Sequence, residues 1–147
     1  MIGAMSEPDP QPDAADELLR ANREFYRAFS SGDFVAMDRV WTQTQGAMCL
    51  HPGWALIHGR GRVMASWRGI LRRPLPVQVR DEVVEVRGDA GVVACVEIVR
   101  HVELAATNLF VREDGRWRLL HHQAGLIARR DEDDDEDDED DEPRLLN

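Results

Sequence analysis

Residues 63–87 read VMASWRGILRRPLPVQVRDEVVEVR, and the hydrophobic rhythm changes within them. Before Pro74 the apolar positions are Val63, Met64, Trp67, Ile70 and Leu71, at the three- and four-residue steps of a one-sided helix. That helix starts after Gly59, keeps Arg60, Arg62, Arg68 and Arg72 largely on its other surface, and is stopped by Pro74 and Pro76. After Pro76 the period falls to two. Val77 to Arg87 sets Val79 and Val83 against polar partners, as a half-buried strand does. Gly88-Asp89-Ala90-Gly91 reads as a turn, Val92 to Glu103 as a valine-rich strand, and Ala105 to Glu113 as another. Asp114-Gly115 is a strong hairpin signal before a last strand, Arg116 to Ala128. Four long strands on tight connections predict an antiparallel meander. One face of such a sheet needs a helical cover, which gives the class α+β.

The cover is written upstream. Asp13 is a good N-cap for a helix over residues 14–31, and Asp16 and Glu17 suit the positive end of its dipole. Leu18, Ala21, Phe25, Ala28 and Phe29 form its apolar stripe, and Gly32 ends it in the left-handed conformation. Asp33 caps a shorter helix through Trp41, with Phe34, Met37, Val40 and Trp41 inward. Ala47 to Leu50 reads as a short strand and His51-Pro52-Gly53-Trp54 as a loop. The chain divides into a flexible leader over residues 1–13, a domain over 14–130, and a disordered acidic tail over 131–147.

Composition excludes several classes. The chain has 147 residues, the usual size of one domain. It has no apolar run of the ~18–20 residues a membrane span needs. Met1 to Pro12 lacks the basic end and apolar core of an export signal, so a cytoplasmic location and no membrane partner are expected. Asp131 to Glu142 are twelve consecutive acids; removing them from the net charge of −10 leaves +2. All eighteen basic residues are arginine, with no concentrated patch beyond one helix, so no nucleic-acid partner is expected. Cys49 and Cys95 lie in apolar strand-like stretches and read as buried thiols; a disulfide requires their strands to be neighbours.

Three phrases carry a resemblance. They are Phe29-Ser30-Ser31-Gly32-Asp33-Phe34-Val35-Ala36-Met37; Cys49-Leu50-His51-Pro52-Gly53-Trp54 followed by His58-Gly59-Arg60 and Ser66-Trp67; and Glu113-Asp114-Gly115-Arg116-Trp117-Arg118-Leu119-Leu120-His121-His122. With the order of elements, they resemble the SnoaL-like group of the nuclear transport factor 2-like superfamily over about residues 14–128. The resemblance implies a cone-shaped α+β barrel of the cystatin-like kind, with three N-terminal helices packed in a curved antiparallel sheet around a pocket. It also implies a homodimer through the sheet. Polyketide cyclases, ketosteroid isomerases, dehydratases and kinase association domains share that fold, and fold does not decide among them. The group's enzymes place an Asp or His acid–base residue on the sheet wall, and no Asp here matches it.

The residues supply candidates instead. His121 and His122 are adjacent on a strand and face opposite ways. Trp117 and Leu119 are bulky and apolar, which places their face, with His121 and Gln123, inward. Glu97, within Val93-Ala94-Cys95-Val96-Glu97-Ile98-Val99, is costly to bury unless paired. A Glu–His pair inside the cone would form a proton-transfer site, with His121 as acid–base group and Glu97 orienting it. The competing reading is a structural ion pair or dimer contact for Glu97 and a satisfied core histidine for His121. Trp41, His51, Trp54 and Trp67 are candidate ligand contacts. Trp41 and Trp67 read equally as core, and Trp54 sits at the expected rim. The histidines lack i, i+4 ligand spacing and a cysteine motif, so no metal is expected, and no cofactor is implied. The leading expectation is a domain that binds a small, largely apolar molecule, with isomerase, cyclase or hydratase chemistry. The alternative is a non-catalytic association module whose cone is plugged by Trp41, Trp67 and Phe110; the acidic tail reads as a solubilising brush, as a segment folding back on the arginines of the third helix, or as contact for a basic partner.

Overall fold

Asp13 accepts a hydrogen bond from the Ala15 N–H at 3.1 Å and starts α1 (Ala14–Ser31). A computed structural model describes residues 13–128; the acidic-tail expectation and the leader before Asp13 lie outside them. Gly32, at φ 68°, ends α1, and Asp33 caps α2 (Phe34–Val40) through the Ala36 N–H. Gly32 is required twice. Its positive φ suits glycine, and a Cβ there would sit 3.0 Å from the Leu71 carbonyl oxygen and 3.1 Å from the Pro74 Cβ. The end of α3 (Arg60–Ile70) therefore packs directly on the α1–α2 corner.

The sheet has six strands in the order β2-β1-β6-β5-β4-β3. They are β1 (Met48–Leu50), β2 (Ile57–His58), β3 (Val77–Arg87), β4 (Ala90–Val99), β5 (Val102–Glu113) and β6 (Arg116–Leu126). The four long strands form the expected antiparallel meander, and three helices pack against its curved, unclosed inner face. The sequence reading missed the edge. β1 runs parallel to β6, with Cys49 opposite His122, and β2 extends the sheet beyond it. Trp41 has left the helix and bridges to Leu119.

The β4–β5 turn opens after Val99, four residues before the strand end that the sequence pattern predicts at Glu103. It lies at Arg100-His101, both at positive φ (49° and 68°), between Val99 and Val102. Neither residue is a glycine or asparagine, so the turn sends no local signal. Ala90 and Gly91 belong to β4, because the preceding loop closes in two residues between Arg87 and Ala90.

Two bulges bend the long strands. On β3, Arg80 pairs with Val96 and Val83 with Ala94, so Asp81 and Glu82 together oppose Cys95. Asp81 takes φ 57° there. On β6, Leu119 pairs with Phe110 and His121 with Leu109, leaving Leu120 as an extra residue. An extra residue twists the strand and reverses which side chains face in. Beyond the first bulge Glu82 turns inward, and Val83, expected inside, is 62% exposed on the outer face.

Inside the cone Phe25, Met37, Trp41, Val63, Trp67, Val93, Phe110 and Leu119 are fully buried. Phe25 packs edge-on to Trp67 at 5.5 Å, and Phe29 to Trp67 at 4.9 Å. No helix among the described residues is long and apolar enough to cross a membrane. Cys49 and Cys95 are free and buried on strands that are not neighbours.

Candidate functional site

Among these apolar side chains lies a ring of polar ones. α1 contributes Asn22 and Tyr26, one turn apart on its buried stripe. β4, β5 and β6 contribute Glu97, Asn108 and His122, whose side chains share the inner face. Glu97 is 2% exposed and His122 1%. Asn108 Nδ2 donates to Asn22 Oδ1 at 2.8 Å and to Tyr26 Oη at 3.0 Å. Tyr26 in turn donates to the Glu97 carboxylate at 2.7 Å. Because both Asn108 donors are used in this way, its Oδ1 is the acceptor facing His122 Nδ1 at 2.5 Å. His122 therefore carries its proton on Nδ1, and the bare Nε2 faces Glu97 Oε1 at 3.7 Å, which closes the ring.

Burial sets the charges. Desolvation pushes the Glu97 carboxyl up to about 7, with the Tyr26 hydrogen bond opposing it. Burial, followed by the neighbouring His51 and His121, pushes His122 down to about 3. Near neutrality the imidazole is uncharged and the carboxyl is the titrating member. Tyr26 is held far above its ordinary value by burial and then by Glu97.

Glu97 does meet a histidine, but not the expected one. His121 lies half-buried on the outer face opposite Leu109, and Gln123 is exposed there. Alternation counted from Trp117 and Leu119 predicts both inward. Those two are inside, but the Leu120 bulge reverses the count, so His122 and Ala124 face in. The expected Glu97–His121 pair therefore does not form, and His122 takes the place beside Glu97.

The ligand-contact candidates divide. Trp41 and Trp67 are core, yet both indole N–H groups are buried without an acceptor among the described residues. His51 is buried, bonds Ser66 Oγ at 2.9 Å, and sits 4.9 Å from both the Trp54 and Trp67 rings. Burial holds it down at about 4. Trp54 is 52% exposed in its loop and caps His51 from outside. Ser66 donates to the Val63 carbonyl at 2.6 Å, which ties its hydroxyl to its own helix.

The sequence reading passed over Tyr26, Asn22 and Asn108. Asn108 alternates with Leu104, Ala106 and Phe110, the same anomaly that marked Glu97, so its signal was present. Tyr26 lines a cleft of ≈210 Å³ between α1 and β3, with Arg23, Arg27, Ser30, Val77 and Val79, so the ring approaches the surface there. A larger cleft of ≈310 Å³ lies among Glu24, Arg27, Asp33, Arg39, Arg116 and Trp117 and shares no residue with the ring.

The model of the SnoaL-like domain family matches residues 18–128. Among curated proteins, F-box protein SKIP8 of Arabidopsis thaliana is 23% identical over 120 residues, 78% of this chain and 52% of that one. The chain thus spans about half the length of that curated relative. A candidate dehydratase of the nuclear transport factor 2-like family from Streptomyces avermitilis is 29% identical, with TM-score 0.72 over 78% of this chain and 96% of that one. A candidate calcium/calmodulin-dependent protein kinase type II association domain from Thiobacillus denitrificans is 27% identical, with TM-score 0.65 over 74% and 93%.

Proposed function

The chain belongs to the SnoaL-like domain family, with a nuclear transport factor 2-like fold, and from that membership we propose that it binds a small, largely apolar molecule inside the cone and moves a proton on it. The observation that carries this reading is Glu97, buried, held near neutrality in its titration, and set between the Tyr26 hydroxyl and the bare nitrogen of His122. A general acid–base group works best when its pKa lies near the operating pH. Glu97 meets that condition, and Asn108 fixes both Tyr26 and His122 around it. The one Tyr26 hydroxyl proton is held by Glu97 before a guest enters, and in this scheme it turns to a guest oxygen that gains negative charge as a neighbouring carbon loses its proton to Glu97. The unpaired indole N–H groups of Trp41 and Trp67 suit a guest carrying an acceptor. The cleft between α1 and β3, where Tyr26 forms part of the lining, is the side of the ring from which we have the guest approach. The likeness to a candidate dehydratase supports proton-transfer chemistry as the class. No cofactor enters this scheme.

The test is hydrogen–deuterium exchange at the α-carbon of α-tetralone, an apolar bicyclic ketone, followed by proton NMR in D₂O. The protein should accelerate exchange with an apparent pKa near 7, and Glu97→Gln should slow it by about 10²-fold or more. Equal rates for wild type and variant remove the proton-transfer reading.

A second reading has its own observation. Trp41, Trp67 and Phe110 are fully buried inside the cone, while Val83 and Val102 stand exposed on the sheet. That pattern favours a non-catalytic module that pairs through the outer face of the sheet. A dimer by sedimentation, with no exchange above the buffer rate, would select it.

A further inference from the structure

Between Asp38 and Asp81 the chain contains no acidic residue, and α3 with its exit carries Arg60, Arg62, Arg68, Arg72 and Arg73. Arg60 is neutralised by Asp38 at 2.5 Å. The other four are exposed, and none meets a carboxylate of the described residues within ion-pair distance. Two adjoining clefts follow this face, of ≈430 Å³ and ≈280 Å³, and both include Arg68 and Arg72. The floor of the first is Gly61, Ala65 and Gly69, and nothing lies within 4 Å of a Cβ built at either glycine. An extended backbone can therefore lie in this furrow. Arg68 is already positioned, with its guanidinium 4.5 Å above the Phe34 ring.

The chain ends its described course at the same end of the cone. Leu126 pairs with Leu104, and the Ile127 N–H reaches the Glu103 carbonyl at 3.3 Å. Val102 pairs with Val99, and Val99 with Val77. Val77 follows Arg73 by four residues and is held to Ser30 of α1 at 3.0 Å. Three inter-strand steps separate β6 from β3, roughly 15 Å. Twelve extended residues reach about 40 Å.

We propose that the acidic run Asp131 to Glu142 docks in this furrow of its own chain, its carboxylates on Arg62, Arg68, Arg72 and Arg73. The charges are complementary, the span is sufficient, and the tether holds the run at an effective concentration of order millimolar. The run is then an internal occupant of the basic face of α3, and other polyanions must displace it. The contact is exposed and ionic, so salt weakens it; the Debye length falls from about 30 Å at 0.01 M to about 3 Å at 1 M.

The test is paramagnetic relaxation on the full chain. Cys49 and Cys95 are buried, so a spin label attaches to one new thiol in Glu136→Cys. At about 20 mM salt the label should broaden the amide signals of residues 61–73 several-fold more than those of β3 and β4, and about 0.5 M salt should remove the difference. A triple change, Arg68→Ser, Arg72→Ser and Arg73→Ser, should also remove it while the His122 and Glu97 signals stay in place. Broadening confined to the neighbours of Ala128, or spread evenly over the surface, overturns the proposal. So does equal broadening when label and isotope are on different molecules, because the furrow would then belong to a second copy.

Discussion

Tyr26 on α1 and Glu97 on β4 meet at 2.7 Å, hydroxyl to carboxylate, across the interface between helix layer and sheet. The bond works against the effect of burial. Desolvation drives the carboxyl up to about 7, while the Tyr26 donor lowers it by stabilising the charged form. Tyr26→Phe should therefore raise the Glu97 pKa further, read from its side-chain carbonyl carbon in an NMR titration. It also leaves Asn108 short of one acceptor, so a stability loss of about 1–3 kcal/mol is expected. An unchanged or lowered pKa would mean that the bond does not form.

Glu97 also makes stability depend on pH. Its folded pKa, about 7, is above the ordinary 4.5, so the folded chain holds a proton that the unfolded chain has released. Stability then falls as pH rises from about 4.5 to 7, by roughly 2–4 kcal/mol for this group. Glu97→Gln keeps the shape without the titration. Relative to wild type it should gain that amount between pH 4 and pH 8, measured by urea unfolding at each pH. A constant difference between the two proteins across the range would contradict the shifted carboxyl.

Alternation carried most of the fold. The change of period near Pro74, the caps Asp13 and Asp33 and the Asp114-Gly115 turn locate three helices and the meander. The same rule misplaced the site, because it counts in twos and a bulge adds one. Asp81 and Leu120 are ordinary strand residues in sequence, yet each reverses the facing of the residues after it. His121 and His122, like Val83, lie just beyond such a step. Glu97 and Asn108 were legible in kind, as polar groups in apolar alternation on strands with no bulge between them and the core. Tyr26 was not, because a tyrosine on a helix stripe looks like packing until its hydroxyl's partner is known.

Gly91 locates the closest approach of helix to sheet. A Cβ there would lie 2.4 Å from Leu18 Cδ2, and Leu18 is fully buried on α1. Gly91→Ala should therefore cost about 1–3 kcal/mol by overpacking. Leu18→Ala alone should cost about 2–5 kcal/mol by leaving a cavity. The double variant should be more stable than the sum of the two losses implies, since the new methyl enters the space the leucine vacates. Additive losses in urea unfolding would show that Gly91 answers to backbone conformation and not to Leu18.

The two buried histidines act on acid stability with the sign opposite to Glu97. His122 is held at about 3 and His51 at about 4, below the ordinary 6.5, so the unfolded chain takes up protons that the folded chain refuses. Their contribution is complete above pH 6.5 and is lost as pH falls toward those values. Between pH 6.5 and 4.5 two histidines oppose one carboxyl, so stability should still fall with acid, and its maximum should lie near pH 6.5. His122→Asn keeps a donor toward Asn108 and removes the titration. It should reduce the slope of unfolding free energy on pH in the acid range by about 1.4 kcal/mol per unit, the equivalent of one proton. The slope is the readout, because the variant also loses the 5.0 Å packing of His122 on Phe25 and will be less stable at every pH. An unaltered slope would mean that His122 is protonated in the fold, and the ring would then be an ion pair with Glu97 charged.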